Sequence, residues 1–162
     1  MKIALVDDEM LIVEGLKKII GRKYPEIEIE AFTDPSLAFE RLKNRLPDLL
    51  ITDIRMPGMT GLELIARFRE KGLRCYAVLT GLDDVPLLQE SIRLRVSDYL
   101  IKPVNKEELF SLIERTREQL KQEKQNDALE LAEAFRTAAQ SDEEIYASLK
   151  NRMSQLLFRG NL

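Results

Sequence analysis

The chain predicts an α/β fold: a five-stranded parallel sheet in the order 2-1-3-4-5, helices on both faces, and a helical C-terminal extension. Three observations carry that expectation. Short apolar runs recur at residues 2–6, 27–32, 48–53, 76–79 and 98–101, and those at 2–6 and 48–53 are too uniformly apolar for a sheet with one wet face. A stretch with helical spacing and short connections lies between consecutive runs, the repeat that gives parallel pairing. The first and third runs lead into carboxylates, Asp7-Asp8 and Asp53, as expected where strands deliver residues to a ligand-binding edge.

Each element has its own justification. Residues 2–6 read as a buried strand ending in the acids Asp7-Asp8-Glu9. An amphipathic helix follows, with Leu11, Ile12, Gly15, Leu16, Ile19 and Ile20 on its inner side and Gly21 as its stop. Ile27 to Phe32 alternates, as a strand nearer the sheet edge does. Asp34-Pro35 starts a second helix, with Asp as cap and Pro at its first position; Leu37, Ala38, Leu42 and Leu46 carry it to Pro47. The strand at 48–53 breaks into the Pro57-Gly58 turn. Thr60 with Glu63 forms a capping box for a helix reaching Gly72. Tyr76 to Leu79 is a strand closing on Thr80-Gly81. Asp83 or Asp84 with Pro86 opens a helix to about Arg95, Asp98 to Ile101 is the last strand, and Asn105 with Glu108 caps a helix running past Leu120. Five βα repeats of this kind are the flavodoxin-like doubly wound arrangement, which sets the first and third strands side by side at the switch point.

Composition narrows the chemistry. Of 162 residues, 44% are hydrophobic, as in an ordinary globular chain, and the net charge of −3 is unlike a basic nucleic-acid surface. Cys75 is the single cysteine and histidine is absent, which excludes an intrachain disulfide, Ser-His-Asp and Cys-His catalysis, and most zinc sites. Met1-Lys2 passes directly into a strand and no apolar run approaches membrane-spanning length, so a cytoplasmic location without a membrane partner is expected.

The predicted topology converges Asp7, Asp8 and Asp53. Carboxylates so close repel one another unless a cation sits among them or one stays protonated. Oxygen-only ligation by few protein groups suits Mg²⁺, which keeps several waters and shares its shell with phosphate. Lys102, after the last strand, offers a compact cation for a phosphoryl oxygen. Thr80 offers a hydroxyl, and Gly81 a backbone N–H with room for close approach. Such a set can make and hold an aspartyl phosphate. Taken singly, each has a plainer reading: Asp7-Asp8 as a helix cap, Asp53 and Thr80 as strand ends, Lys102 as a solvated loop lysine. Their placement at successive strand ends favours the joint reading.

Val6-Asp7-Asp8-Glu9, the run from Asp53 to Gly61 (Asp-Ile-Arg-Met-Pro-Gly-Met-Thr-Gly), Leu79-Thr80-Gly81 and the run from Asp98 to Pro103 (Asp-Tyr-Leu-Ile-Lys-Pro) resemble the receiver domain of a two-component response regulator. The resemblance covers residues 1 to about 122. It implies that Asp53 receives a phosphoryl group from a sensor histidine kinase, with Thr80 and Lys102 assisting. It also implies that Asp7, Asp8, Asp53 and the backbone carbonyl of Arg55 bind Mg²⁺, with Asp8 favoured over Asp7 as direct ligand. Thr80 and Tyr99 would move together on activation, altering the surface formed by the helix at 83–95, the strand at 98–101 and the helix after Asn105. The Lys102–Pro103 bond is expected to be cis. Arg95 stands where relatives often place glycine, which implies strain or a different helix end there. Arg55 and Leu82 occupy positions that often govern loss of the phosphoryl group; neither is a base, so a long-lived phosphoryl state is expected.

Residues 123–162 match no output module that the resemblance supplies. Leu109, Ile113, Thr116 and Leu120 form a seam that Leu131, Phe135 and Ala138 resume after Lys124 and Asp127. Ser141 with Glu144 makes a further capping box, and Ile145, Leu149, Met153 and Leu156 or Leu157 follow along one face. The tail thus reads as a helix extension, a break near 140, and a second amphipathic helix. It serves dimerisation or docking of a partner protein, or else packs back as private core; a membrane-surface helix fits poorly beside its acids. Its acidic excess makes it a poor DNA reader. The main expectation is a phosphorylation-controlled module acting through protein contacts, not a dedicated enzyme. The alternative is the receiver portion of a DNA-binding regulator whose output domain is absent from this chain. An aspartate-nucleophile phosphatase is rejected as a dedicated activity because Arg55 stands where its general acid belongs, and a flavin site fits poorly because Asp7-Asp8-Glu9 replaces an uncharged phosphate loop.

Overall fold

The computed structural model describes residues 1–81, 98–139 and 143–158, with side chains described as far as 139 and again over 147–155. Its strands are β1 (Lys2–Val6), β2 (Glu28–Phe32), β3 (Leu49–Asp53), β4 (Tyr76–Thr80) and β5 (Asp98–Ile101). Its helices are α1 (Met10–Lys23), α2 (Pro35–Leu42), α3 (Gly61–Glu70), α4 (Lys106–Ala138) and α5 (Glu143–Phe158). The strands pair in parallel in the expected order β2-β1-β3-β4-β5. The helix expected at 83–95, with Leu82 and Arg95, lies outside the described residues, as does the Ser141–Glu144 capping box.

Strand alternation builds two apolar layers. Ile3, Leu5, Leu49, Ile51, Ala77 and Leu79 face α1 (Val13, Leu16, Ile20) and the start of α4 (Leu109, Leu112, Ile113). Ala4, Val6, Leu50 and Val78 face α2 (Ala38, Leu42) and α3 (Leu62, Ile65, Phe68). The chain divides into two compact units, Met1–Arg117 and Glu118–Leu162. In the first, Arg117 pairs with Glu26 and lies 4.7 Å from the ring centre of Tyr24, fastening α4 beside the end of α1. The second contains the distal part of α4 and all of α5.

Helix starts follow the chemistry of their caps. Asp34 Oδ1 accepts N–H groups of Ser36 and Leu37, at 2.8 and 3.1 Å. Thr60 and Glu63 form the reciprocal box, and Asn105 Oδ1 accepts from Glu107 and Glu108. Two helix ends differ from expectation. α1 continues through Gly21 to Lys23 and stops because Tyr24 precedes Pro25, whose ring disfavours a helical backbone at the residue before it; Tyr24 sits at φ −128°, ψ 71°. α2 ends at Leu42 instead of reaching Pro47: Arg45 N–H turns back to the Leu42 carbonyl, and Leu46 is restricted by the proline after it. Two leucines also face outward against expectation. Leu11, about 200° around α1 from Val13, is 87% exposed, and Leu37 is 59% exposed beside the buried stripe Pro35–Ala38–Leu42.

α3 comes closest to the strand ends at Gly61. Its N–H donates to the Ile54 carbonyl at 2.9 Å, and a Cβ there would stand 1.9 Å from the Asp53 carbonyl oxygen. Only hydrogen fits. Gly61→Ala is therefore expected to cost about 3 kcal/mol in urea unfolding. Gly15→Ala, on α1 with nothing within 4 Å of the added methyl, is expected to gain about 0.5–1 kcal/mol. Equal effects at the two sites would refute the steric account.

Candidate functional site

The sheet register brings the site together. Val6 pairs with Thr52, so the next residues, Asp7 and Asp53, emerge side by side at the carboxyl ends of β1 and β3. Asp53 pairs with Leu79 and Thr80 with Ile101, which places Thr80 and Lys102 one step further along the same edge. Lys102 N–H donates to the Thr80 carbonyl at 2.8 Å. The Lys102–Pro103 bond is cis.

Three carboxylates meet there: oxygens of Asp7, Asp8 and Asp53 lie within 4.8 Å of one another, with Asp7 and Asp53 buried and Asp8 exposed. Asp7 Oδ1 accepts the Glu9 N–H at 2.9 Å, so half of this carboxylate shapes the turn into α1. Glu9, the N-cap of α1, makes no side-chain cap itself. Asp7 Oδ2 is buried and has no aligned hydrogen-bond donor. Lys102 Nζ stands 2.7 Å from it as an ion-pair neighbour, and 3.0 Å from Asp53 Oδ1. Asp53 Oδ2 accepts the Arg55 N–H at 3.1 Å.

Burial pushes the Asp53 carboxyl above the usual range; the Lys102 hydrogen bond and charge oppose the shift, and the neighbouring Asp7 adds to it. Burial also works against the Lys102 ammonium. The adjacent carboxylates of Asp7 and Asp53 outweigh that and hold its pKa above the ordinary lysine value. One ammonium thus serves the Asp7 and Asp53 carboxylates, with Glu9 a further 3.6 Å neighbour and the Asp8 carboxylate in the same cluster. The donor set is hard, oxygen-only and short of positive charge, which fits Mg²⁺.

The other expected residues sit differently. Thr80 is buried, and its hydroxyl donates to the Gly81 carbonyl at 3.1 Å. Tyr99 is 56% exposed and borders a surface pocket with Leu100, Glu107, Glu108, Ser111 and Arg115. Arg55 contributes its backbone N–H to Asp53, its side chain being exposed. Two supporting residues carry no signal in side-chain type. Thr52 is buried and donates its hydroxyl to the Asp53 carbonyl at 3.1 Å, and Gly61 lets α3 press against that same carbonyl. Apart from its place at the end of the run that carries the receiver resemblance, the hint for Gly61 was a glycine at the first helical position, where a better helix former would be expected.

Comparison with known proteins agrees with this geometry. The model of the response regulator receiver domain matches residues 3–114. The transcriptional regulatory protein HptR of Staphylococcus aureus is 36% identical over 128 residues, covering 77% of this chain and 50% of HptR. The transcriptional regulatory protein YesN of Bacillus subtilis is 32% identical over 124 residues, covering 75% of this chain and 34% of YesN. The chain therefore spans half or less of the length of these curated relatives. Among solved structures, the receiver (REC) domain of AraT, a response regulator from Geobacillus stearothermophilus, superposes with a TM-score of 0.68 at 37% identity, covering 75% of this chain and 96% of that one. A family model that takes in most of the chain, on a fold whose acids and lysine meet at the carboxyl edge of the sheet, shows that this protein belongs to the response regulator receiver domain family.

Proposed function

We propose that Asp53 accepts a phosphoryl group from a phosphohistidine of a sensor kinase and that the chain signals through protein contacts. The observation that carries this reading is the buried Asp7 Oδ2, left without an aligned donor in a cluster of three carboxylates, two of which, Asp7 and Asp53, share Lys102. In the transfer, an Asp53 carboxylate oxygen attacks phosphorus, the P–N bond to the kinase imidazole breaks, and the imidazole leaves with the electron pair and takes a proton. Lys102 Nζ, already 3.0 Å from Asp53 Oδ1, balances charge on the phosphoryl oxygens. The Arg55 N–H holds the second Asp53 oxygen, fixing the carboxylate plane. Asp7, Asp8, Asp53 and the Arg55 backbone carbonyl would hold Mg²⁺, which supplies Lewis-acid neutralisation of phosphoryl charge when bound. Thr80 and Tyr99 form the proposed switch, and residues 1–122 and 123–162 the proposed receiver and tail. The tail serves self-association or a partner protein, and any catalysis is confined to the chain's own phosphorylation and the slow hydrolysis of that phosphate. No helix among the described residues is long and apolar enough to cross a membrane, and a cytoplasmic site of action follows from the kinase partnership proposed.

A second reading has one observation in its favour: HptR and YesN are transcriptional regulatory proteins of which this chain spans half or less. On that reading the chain is the receiver portion of a DNA-binding regulator. The coding sequence downstream of Leu162 distinguishes the two.

Incubation with acetyl phosphate and Mg²⁺ is expected to add one phosphoryl group by intact mass. Asp53→Asn should abolish the addition and Lys102→Met should slow it about tenfold or more. Wild-type labelling of Asp53→Asn would refute the assignment. MgCl₂ alone is expected to raise the Tm by several degrees, and Asp8→Asn should remove most of that rise; an unchanged rise would remove Asp8 from the site. Because neither Arg55 nor Leu82 can activate water, Arg55→Asn or Leu82→Gln is expected to shorten the phosphoryl lifetime several-fold. Unaltered decay in both variants would count against control at these positions.

A further inference from the structure

We propose that the second unit, Glu118–Leu162, is one half of a helical bundle that a second copy of this chain completes through the groove between α4 and α5. This deepens the reading of the tail as a protein-contact element and rests on it. The groove measures about 270 Å³ and is lined by Asp127, Glu130, Leu131 and Ala134 of α4 with Leu149 and Arg152 of α5. That is the volume of about nine waters at ~30 Å³ each. It suits one or two side chains from another helix and falls below the ~300–1,000 Å³ of small-molecule pockets.

Two observations select a second copy as the occupant. First, the described part of the unit leaves apolar side chains uncovered. Among its described side chains, Leu131 and Ala138 alone are buried, and Met153 is 40% exposed. Leu129, 65% exposed, adds to the apolar surface that the described part of the unit leaves uncovered, and oligomerisation is a common way to cover such surface. Second, the groove carries acids on its α4 wall and a base on its α5 wall, and Asp127, Glu130 and Arg152 form no ion pair among the described residues. A surface with opposite signs on its two walls is self-complementary under a two-fold axis. Arg152 of each copy then meets Asp127 and Glu130 of the other. A partner of single charge would match one wall and be repelled by the other.

Sedimentation equilibrium of the full chain is expected to show a dimer. Arg152→Glu alone, and Asp127→Lys with Glu130→Lys in another chain, each set like charges against one another at both contacts. Each is expected to raise the dimer Kd about tenfold or more, with helicity by circular dichroism unchanged. Mixed in equal amounts, the two variant chains regain opposite charges at both contacts, so the heterodimer should form at the wild-type Kd. A pair within one chain cannot produce that cross-rescue. A wild-type monomer at every concentration, a dimer that neither variant weakens, or weakened homodimers without cross-rescue would each overturn the proposal. Acetyl phosphate labelling of Asp53 is measured on the same samples. Retained labelling with a monomer refutes the bundle and leaves the phosphoacceptor reading standing; a cross-rescued dimer without labelling does the reverse.

Discussion

Two buried carboxylates sharing one ammonium form the constraint on which the rest of the receiver unit depends. Lys102 Nζ lies within 3.0 Å of both Asp7 and Asp53, and neither acid has much access to water. Without the lysine, two adjacent buried charges would be strongly destabilising. The backbone makes the sharing possible: β1 and β3 are paired so that both acids leave the sheet together, and the Thr80 carbonyl ties the lysine's own N–H to the next strand end. The dependence also runs the other way. A one-residue slip of β3 would turn Asp53 from its charge partner and exchange the apolar layers of Leu49 and Ile51 for that of Leu50. Charge pairing and hydrophobic alternation therefore select the same register.

The site was legible in the sequence where its chemistry lies in side-chain type at a strand end. Asp7, Asp8, Asp53 and Lys102 were readable because acids and a lysine interrupt apolar runs at successive strand ends, and topology does the rest. Thr52 and Gly61 were not readable as supporting residues, because what they do is a matter of backbone proximity: one caps the Asp53 carbonyl and the other lets a helix approach it. The helices show a similar division. Caps at Asp34, Thr60 and Asn105 are local chemistry and were foreseeable. The phase of a helix is not local. Leu11 and Leu37 belong to plausible apolar stripes, yet the sheet accepts the neighbouring stripes through Val13 and Ala38. Gly21 failed as a stop because glycine only permits a helix to end, whereas a proline restricts the residue before it.

The imbalance of charge explains why such a cluster would respond to phosphorylation under the proposed reading. An acyl phosphate at Asp53 replaces one negative charge with about two, in a place where a single lysine already serves two acids. The added charge changes what Lys102 is attracted to, and Lys102 directly follows β5. That strand is the sheet edge; Leu100 anchors it in the core, while Tyr99 and Ile101 are 56% and 43% exposed. Packed apolar layers resist continuous deformation, so a pull on the lysine is relieved most cheaply where the edge strand meets the surface. Coupling of charge at Asp53 to the position of Tyr99 then needs no rearrangement of the core, only a shift of the strand end that both share.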